Sequence, residues 1–474
     1  MIFMRFYDEP LAQASYLLGC TRSGEALVID PNRNVEQYIA AAEQSGLAIT
    51  AVTETHIHAD FVSGSRELAE RAGARLYLSD EGGEAWRYTF APYSRAVLLK
   101  DGSRFTTGNV ALEVLHTPGH TPEHISFLVT DGAVADVPMG IVTGDFVFVG
   151  DVGRPDLLEK AAGIANTADS AARTLFRSLQ RFRQLADHLQ LWPGHGAGSA
   201  CGKGLSAVPQ STVGYEKLCN WALKPMDEEE FVRQVLVDQP EPPRYFAEMK
   251  RINKLGPSIL GGFRRPVRLP ESRLKRLIAD GALVVDTRPA EAFAAGHVPG
   301  TINIPLNRSF SNWAGWLMPY DRDLYLIADE RALGGIDDAV RDLAMIGLER
   351  IGGFFGTEIV EAWEASGDAL QSAPQIGVAE LAERSTIGGL VVVDLRNEVE
   401  WREGHLPGAR HIPLGYLPDR LAEIPTDVPV VLHCQSGSRS AMGLSLLQAR
   451  GWRNLVNLPA GFTGWEKAGL PVQR

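Results

Sequence analysis

Residues 54–61, with the sequence ETHIHADF, decide the fold of this chain. They continue a predicted strand over 51–54. Because the side chains of an extended segment alternate between two sides, His56 and His58 point the same way. The carboxylate of Asp60 follows at the same spacing. Imidazole and carboxylate ligands together suit first-row transition metals. The stretch therefore predicts a metal site at the end of a β-strand.

Three more side chains of this kind follow in loops that contain glycine or proline: His120 in TPGHTP, Asp145 in TGD and His195 in WPGHG. Short apolar runs alternate with amphipathic stretches, which predicts an α/β fold whose loops commonly carry sites. A single histidine of this sort is more often a hydrogen-bonded core residue. The whole set in this order indicates a metal centre instead.

Length and composition limit the class of protein. The 474 residues suggest about three domains at roughly 100–200 residues each. A net charge of −12 argues against nucleic acid or an anionic membrane as the main partner. No apolar run approaches a membrane helix and the start has no secretory apolar region, so we expect a cytoplasmic protein. Four cysteines are too few for a disulfide framework, which fits a reducing compartment.

The second half contains an internal repeat, DTRPAEAFAAGHVPGTINIP over 286–305 and DLRNEVEWREGHLPGARHIP over 394–413. The copies start 108 residues apart and each follows an apolar strand, which indicates a duplicated domain rather than a solenoid. We predict a metal domain with a helical extension over 1–245, a linker over 246–270, and two repeat domains over 271–368 and 369–474.

A cysteine loop, VVLHCQSGSRS over 430–440, follows a strand of the second copy. Successive backbone N–H groups in such a loop form an anion-binding cup at a helix N-terminus. The cup and Arg439 favour the thiolate of Cys434, which can hold a sulfane sulfur as a persulfide. The alternative is a buried structural cysteine. In the first copy Asp329 stands where the cysteine is expected, so residues 271–368 are predicted to be non-catalytic.

These motifs resemble known families. The HxHxD motif, the GHTP loop, the TGD turn and the late PGH resemble the metallo-β-lactamase superfamily. The strings ETHIHADFVSG, TPGHTPEH and GDVGRPDL are similar to its persulfide dioxygenase branch. The repeat and its cysteine loop resemble rhodanese domains; phosphatase loops of the same type have five residues between Cys and Arg, and this chain has four. The resemblance implies a metallo-β-lactamase αββα sandwich followed by two rhodanese-like α/β domains.

The persulfide dioxygenase pattern implies one Fe(II) per chain, held by His56, His120 and Asp145. The superfamily pattern is usually HxHxDH, but here the last residue is Phe61. The missing imidazole argues against a second metal. His58 is a ligand in zinc hydrolases, and that assignment stays an alternative for this chain.

Further residues are assigned to the surroundings of the metal. His58, Asp60 and His195 are expected to orient ligands or to hydrogen-bond substrate. Arg154 is expected either to bind an anionic substrate or to form a structural ion pair with Asp156. We also predict that Cys201, a flexible thiol flanked by lysine, is a candidate sulfur acceptor.

The resemblance implies oxidation of a low-molecular-weight thiol persulfide by O2 to sulfite. Sulfur transfer through Cys434 between persulfide and sulfite or thiosulfate would be coupled to it. Homo-oligomer formation is expected from the resemblance alone. The main alternative is a zinc thioester hydrolase of the glyoxalase II kind, fused to a sulfurtransferase, which needs two metals. A third hypothesis is a sulfur carrier or persulfide sensor that uses Cys434 while the metal domain only binds ligand.

Overall fold

The chain folds into two compact units. A computed structural model describes residues 1–160, 166–331 and 334–474. The first unit comprises Met1–Phe263 with Ala344–Gly347, and the second comprises Arg264–Leu343 with Leu348–Arg474. Within the described ranges, no helix has the length and apolar character needed to cross a bilayer.

Two six-stranded sheets form the centre of the first unit. The first contains β1 (Ile2–Asp8), β2 (Gln13–Cys20), β3 (Glu25–Ile29), β4 (Ala48–Thr53), β5 (Arg75–Ser79) and β6 (Val97–Leu99). The second contains β7 (Arg104–Thr107), β8 (Val110–His116), β9 (Ile125–Asp131), β10 (Gly140–Gly144), β11 (Gln190–Pro193) and β12 (Ser211–Thr212). Strands that follow each other in the chain are neighbours in both sheets, and each sheet mixes parallel and antiparallel pairs.

The inner faces of the two sheets share one buried core. Tyr16 and Tyr77 of the first sheet meet Phe105, Phe127 and Trp192 of the second sheet there. The rings of Tyr77 and Phe105 stack with their centroids 4.2 Å apart. Burial of each such side chain stabilises the fold by roughly 1.5–3 kcal/mol, so this core holds the sheets face to face.

Helices cover the outer face of each sheet. In chain order they are α1 (Glu36–Gln44), α2 (Ser65–Ala72), α3 (Ala91–Ser94), α4 (Leu157–Lys160), α5 (Ala168–Phe182), α6 (Val213–Cys219), α7 (Glu228–Leu236) and α8 (Phe246–Leu255). Helices α1 and α2 pack on the first sheet, and α5 and α7 on the second. Helix α5 buries Ala172, Leu175, Leu179 and Phe182, which recur on one helical face. This αββα sandwich confirms the predicted fold.

Helix α8 departs from the linker expected over 246–270. Its Met249 and Asn253 are buried, and the chain as far as Phe263 clusters with the first unit. The prolines before the helix and the Gly-Pro pair after it are typical of linkers. The short helix between them, which has one buried side, was therefore not predicted. The predicted domain limits themselves stay predictions.

The second unit contains two four-stranded parallel sheets of the same topology. The first copy consists of α9 (Ser272–Ala279), β13 (Leu283–Asp286), α10 (Ala290–Ala295), β14 (Ile302–Asn303), α11 (Phe310–Leu317), β15 (Leu324–Ile327), α12 (Ile336–Met345), β16 (Ile351–Phe355) and α13 (Ile359–Ala365). The second copy consists of α14 (Val378–Ile387), β17 (Val391–Asp394), α15 (Glu398–Glu403), β18 (Arg410–His411), β19 (Val430–His433), α16 (Ser438–Ala449), β20 (Leu455–Asn457) and α17 (Gly461–Lys467). The strand orders β14-β13-β15-β16 and β18-β17-β19-β20 confirm the duplication.

Each copy uses the repeated sequence in the same way. Arg288 donates to Asp286, and Arg396 donates to Asp394, each with an Nη2–Oδ2 distance of 2.7 Å. Both guanidinium groups also bond the carbonyl oxygen of the glycine before the repeated histidine. Because these polar groups are largely buried, each needs its partner, and the ion pair fixes the turn after the first strand.

The strand register corrects one prediction about the first copy. Asp286 pairs with Ile327, and its counterpart Asp394 pairs with His433. The residue at the place of the catalytic cysteine is therefore Ala328 and not Asp329. The methyl side chain of alanine cannot carry sulfur, so the conclusion that this copy lacks the catalytic thiol is unchanged.

Candidate metal centre and cysteine loop

Three predicted metal ligands come together at strand ends of the first unit. His56 follows β4, His120 follows β8 and Asp145 follows β10 directly. One potential ligand atom from each side chain lies within 4.8 Å of those of the other two, and all three residues are buried. The Nε2 atoms of His56 and His120 lie 3.9 Å and 3.6 Å from Asp145 Oδ2.

On each of these three side chains, one polar atom makes a hydrogen bond and another remains for a metal ion. Thr55 Oγ1 donates to Asp30, so His56 Nδ1 donates to Thr55 Oγ1 at 2.9 Å. His120 Nδ1 donates to the Arg154 carbonyl oxygen at 3.1 Å. Asp145 Oδ2 has no hydrogen-bond partner among the residues that the structure describes. Each imidazole thus uses Nδ1 for its hydrogen bond and directs Nε2 towards Asp145 Oδ2, which fits the ligand set of a transition metal.

The charges of these groups also suit metal binding. Burial lowers the pKa of both His56 and His120, so each imidazole is neutral. Burial opposes ionisation of Asp145, but the neighbouring His195 outweighs it and holds the pKa of that carboxyl well below its usual range. Neutral imidazole and ionised carboxylate are the forms that bind metals.

His58 does not belong to this group of three, although its ring lies 4.2 Å from the ring of His56. Its Nε2 is 3.2 Å from Asp30 Oδ1, and its ring packs 4.4 Å from the ring of Phe61. Burial opposes protonation of His58, but Asp30 and other carboxylates outweigh it and raise the pKa to about 9. Because Asp30 occupies Nε2 of His58, that nitrogen is not directed at the other two histidines' ligand position. The contact favours an orienting role for His58 over the role of a ligand.

His195 lies between two carboxylates. Its Nδ1 is 2.7 Å from Asp145 Oδ1, and its Nε2 is 2.7 Å from Asp60 Oδ2. Asp145 is therefore held through one oxygen while the other faces the two histidines. Asp60, His195 and Cys201 also form a second buried group of potential ligand atoms within 4.8 Å of one another. The spacing of these residues in the sequence did not indicate this second group.

The contacts of Arg154 and the burial of Cys201 bear on the roles predicted for these two residues. Every nitrogen of the fully buried Arg154 guanidinium donates a hydrogen bond: Nε and Nη2 to Asp156, and Nη1 to the Ala200 carbonyl oxygen. This geometry favours the structural ion pair over substrate binding.

Cys201 is buried rather than exposed, and Lys203 points away to carbonyl oxygens of another segment. Burial, together with nearby carboxylates, raises the pKa of the Cys201 thiol.

Several positioning residues were missed in the sequence. His124 Nε2 accepts a hydrogen bond from the backbone N–H of Asp145 at 3.1 Å. Asn253 of α8 donates to the carbonyl oxygens of His58 and Phe61 at 2.8 Å and 2.7 Å, and accepts from the Ser63 N–H at 2.8 Å. His124 was visible in the TPEH motif. Asn253 gave no signal, because it lies about 190 residues from its partners.

The cysteine loop occupies the predicted place in the second unit. Cys434 follows β19 directly and is buried, and Ser440 Oγ lies 3.7 Å from its sulfur. Gly437 has a φ of +88°, and a Cβ there would meet the Pro459 carbonyl oxygen at 2.3 Å. Only glycine fits such a backbone, so Gly437 fixes the shape of the loop.

Arg439 is held by a partner that the sequence analysis did not identify. Its Nη1 and Nη2 donate to the two carboxylate oxygens of Glu400 at 2.6 Å each. Glu400 also closes a capping box with Asn397 at the start of α15. In the first copy Ala292 stands at the place of Glu400, so the thiol and this carboxylate are both absent there.

Comparisons with known proteins agree with this architecture. Residues 8–195 match the metallo-beta-lactamase superfamily, and residues 271–331 and 377–468 match the rhodanese-like domain. A crystal structure of a metallo-beta-lactamase from Staphylococcus aureus is 44% identical, with a TM-score of 0.69, over 75% of this chain and 99% of that one. The chain belongs to the metallo-beta-lactamase superfamily. Its second half carries rhodanese-like domains.

Two curated relatives match parts of this metallo-beta-lactamase superfamily member. A sulfurtransferase from Allochromatium vinosum is 36% identical over 83 residues, 18% of this chain and 78% of that protein. A beta-lactamase hydrolase-like protein from Xylella fastidiosa is 26% identical over 249 residues, 48% of this chain and 53% of that protein. The chain thus spans about half the length of the Xylella relative. The families are those of metal-binding hydrolase-fold enzymes and sulfurtransferases.

We expect Asn253→Ala to weaken metal binding. The substitution removes three hydrogen bonds that hold the backbone between His58 and Ser63, so the loop that carries His56 loosens. Supporting contacts of this kind typically change metal affinity about tenfold or more. Competition with a chelator measures the effect, and Arg251→Ala on the exposed side of the same helix is the matched control. Equal metal retention in both variants would contradict this role.

Proposed function

We propose that this protein is a non-haem Fe(II) dioxygenase for low-molecular-weight thiol persulfides, joined to a sulfurtransferase that acts through Cys434. The observation that carries the proposal is the convergence of potential ligand atoms from His56, His120 and Asp145, where Asp145 Oδ2 has no hydrogen-bond partner among the described residues. Two histidines and one carboxylate with open positions are typical of non-haem Fe(II) oxygenases. The Cys434 loop in a rhodanese-like domain supports the second activity.

The overall oxidation is balanced without a further reductant. R–S–S⁻, O2 and water give R–SH, sulfite and a proton; the S–S bond breaks, the terminal sulfur is oxidised and O2 is reduced. Bound Fe(II) would supply adjacent open coordination positions for O2 and the persulfide sulfur. The ligands are buried, so the surrounding protein excludes bulk water from the reacting groups.

The residues around the ligands keep them in one orientation. His195 holds Asp145 through Oδ1 and leaves Oδ2 free. Thr55 Oγ1 donates a hydrogen bond to Asp30 and accepts one from His56 Nδ1, which fixes the His56 ring. The Arg154 carbonyl oxygen fixes the His120 ring in the same way. Such contacts set ring orientation and ligand basicity. Cys201 lies beside Asp60 and His195, and we retain it as a candidate sulfur acceptor at this site.

The sulfurtransferase step uses the thiol of Cys434. A sulfane sulfur is first held there as Cys434–S–S⁻. Sulfite attacks the outer sulfur, a new S–S bond forms thiosulfate, and the Cys434 thiolate leaves with the electron pair of the broken bond. The reverse step loads Cys434 from thiosulfate and releases sulfite. The backbone N–H groups of the Gly437 loop stabilise the anionic sulfur in both directions.

One observation favours the alternative of a zinc thioester hydrolase. Asp60, His195 and Cys201 form a second group of potential ligand atoms beside the first, and a dinuclear hydrolase needs two metals. Phe61 opposes it, because a fully buried ring next to His58 stands where the superfamily usually places a further imidazole. The number of metal ions in the protein distinguishes the two functions.

We expect Asp145→Ala to abolish persulfide oxidation. The substitution removes the only carboxylate of the three-ligand group and leaves two neutral imidazoles. Loss of a ligand lowers the rate of O2 uptake by at least about 100-fold, since even supporting residues change activity 10–100-fold. Asp136→Ala, at an exposed turn, is the control. Retention of oxidation by Asp145→Ala would refute the iron assignment.

Cys434→Ser is expected to change the products rather than the oxygen uptake. Without the thiol no sulfane sulfur can be passed to sulfite, so persulfide oxidation yields sulfite in place of thiosulfate. Ion chromatography of the products with a glutathione persulfide substrate measures this ratio. Cys219→Ser, which changes an exposed thiol, serves as the control. Undiminished thiosulfate formation by Cys434→Ser would show that sulfur passes by another route.

A further inference from the structure

A carboxylate is paired with the arginine of the cysteine loop in the active copy. The Nη1 and Nη2 atoms of Arg439 donate to the two carboxylate oxygens of Glu400 at 2.6 Å each, and both side chains are half-buried. Glu400 also accepts the backbone N–H of Asn397 at 3.0 Å, and its own N–H donates to the Asn397 side chain at 2.8 Å. The carboxylate is therefore held in one orientation, directly on the guanidinium group.

Both members of this pair are charged. Burial opposes the ionisation of Glu400, but Arg439 outweighs it and holds the pKa of the carboxyl below its usual range. Burial also disfavours the charge of Arg439, but Glu400 outweighs it and raises the pKa of the guanidinium group, and the charge of Cys434 acts in the same direction. A carboxylate in that position cancels much of the positive potential that Arg439 would otherwise present to an anion at the loop.

A second guanidinium group at the loop is paired as well. Arg396 donates to Gln435 Oε1 at 3.3 Å, and its carboxylate partner is Asp394, at 2.7 Å. Burial lowers the pKa of the neighbouring His433, so this imidazole is neutral. The positive charge of each of these two arginines is therefore balanced by a carboxylate, and the backbone N–H groups of the loop are left to hold an anion.

The fold does not require Glu400. In the copy without the thiol, Ala292 stands at the place of Glu400 and Pro289 at the place of Asn397. Helix α10 nevertheless covers the same six positions as α15, without a capping box. The carboxylate occurs in the copy that has the cysteine, which indicates a role in the chemistry of the loop rather than in the formation of the helix.

We propose that Glu400 sets the charge specificity of the Cys434 loop, so that the loop accepts monoanionic sulfur donors, such as persulfides, in preference to the dianion thiosulfate. The inference rests on the proposed sulfurtransferase function. A second negative charge must leave water to enter the loop, and this cost is offset only where the protein supplies a matching positive charge. Glu400 neutralises that charge on Arg439. Because it acts through Arg439 and not on the sulfur, it is a positioning residue.

Two donors of similar size separate the effect of charge from that of shape. Thiosulfate is a dianion, and methanethiosulfonate is a monoanion because a methyl group replaces one oxygen anion. With either donor the Cys434 thiolate attacks the sulfane sulfur, the S–S bond of the donor breaks, and sulfite or methanesulfinate leaves with the electron pair. Cyanide then takes the outer sulfur of Cys434–S–S⁻ as thiocyanate and regenerates the thiolate, so one assay of the full chain measures both donors.

We expect Glu400→Gln to increase kcat/KM for thiosulfate about tenfold relative to methanethiosulfonate, because a full charge beside Arg439 is removed. Glutamine keeps the size of the side chain, and its carbonyl oxygen can still accept a hydrogen bond from Arg439. Glu403→Gln, at the exposed last residue of the same helix, removes an equal charge and is the matched control. Glu400→Asp keeps the charge, so its ratio of the two donors should stay close to the wild-type value.

An unchanged donor ratio in Glu400→Gln, or an equal fall in kcat/KM with both donors, would overturn the proposed charge specificity, since a purely structural brace affects both donors alike. The sulfurtransferase function would stand in either case. Absence of thiocyanate formation by the wild-type chain with both donors would overturn the sulfurtransferase function itself, and the role of Glu400 with it.

Discussion

The two oxygens of the Asp145 carboxylate have different contacts, and the proposed chemistry depends on this difference. Oδ1 is held by His195 at 2.7 Å, while Oδ2 faces His56 and His120 without a partner. Because Oδ2 accepts no hydrogen bond from the described residues, its lone pairs are available to a cation. The parallel pairing of β10 with β11 brings Asp145 and His195 together, so the contact is set by the sheet itself.

The ligands illustrate how much the sequence predicts. His56, His120 and Asp145 follow apolar strands in loops with glycine or proline, and side chains placed after neighbouring strands meet at one end of a sandwich. The α/β class and the duplicated domain were also predictable, because the periodic patterns and the repeat are local features of the sequence. The αββα arrangement was expected only from the resemblance to the metallo-β-lactamase superfamily. Strand register was not predictable at single-residue precision, and the assignment of Asp329 in place of Ala328 was wrong for that reason.

Other contacts leave no local pattern in the sequence. Asn253 supports the loop of His58 from a helix 195 residues away, in a segment whose prolines and glycines resemble a linker. Glu400 is one of several acidic residues on α15, and only the fold shows that it pairs with Arg439. The spacing of Arg154 and Asp156 left two roles open, and the buried geometry of the guanidinium favours the ion pair.

The two rhodanese-like copies show how a duplicated fold can acquire separate roles. The buried Asp–Arg pair persists in both, since its loss would leave an uncompensated buried charge. The cysteine and Glu400 occur only in the second copy, where sulfur chemistry is proposed. The first copy retains the fold without the thiol, and its Phe293 and Leu306 line a cavity that also contacts residues 436–438 of the cysteine loop.

The most direct test of the account is the metal content of the purified protein, measured together with O2 uptake when glutathione persulfide is added. A mononuclear Fe(II) dioxygenase should contain about one iron per chain and take up O2 in proportion to that iron. Two zinc ions per chain and no O2 uptake would contradict it, and would assign the second group of Asp60, His195 and Cys201 to a hydrolytic metal.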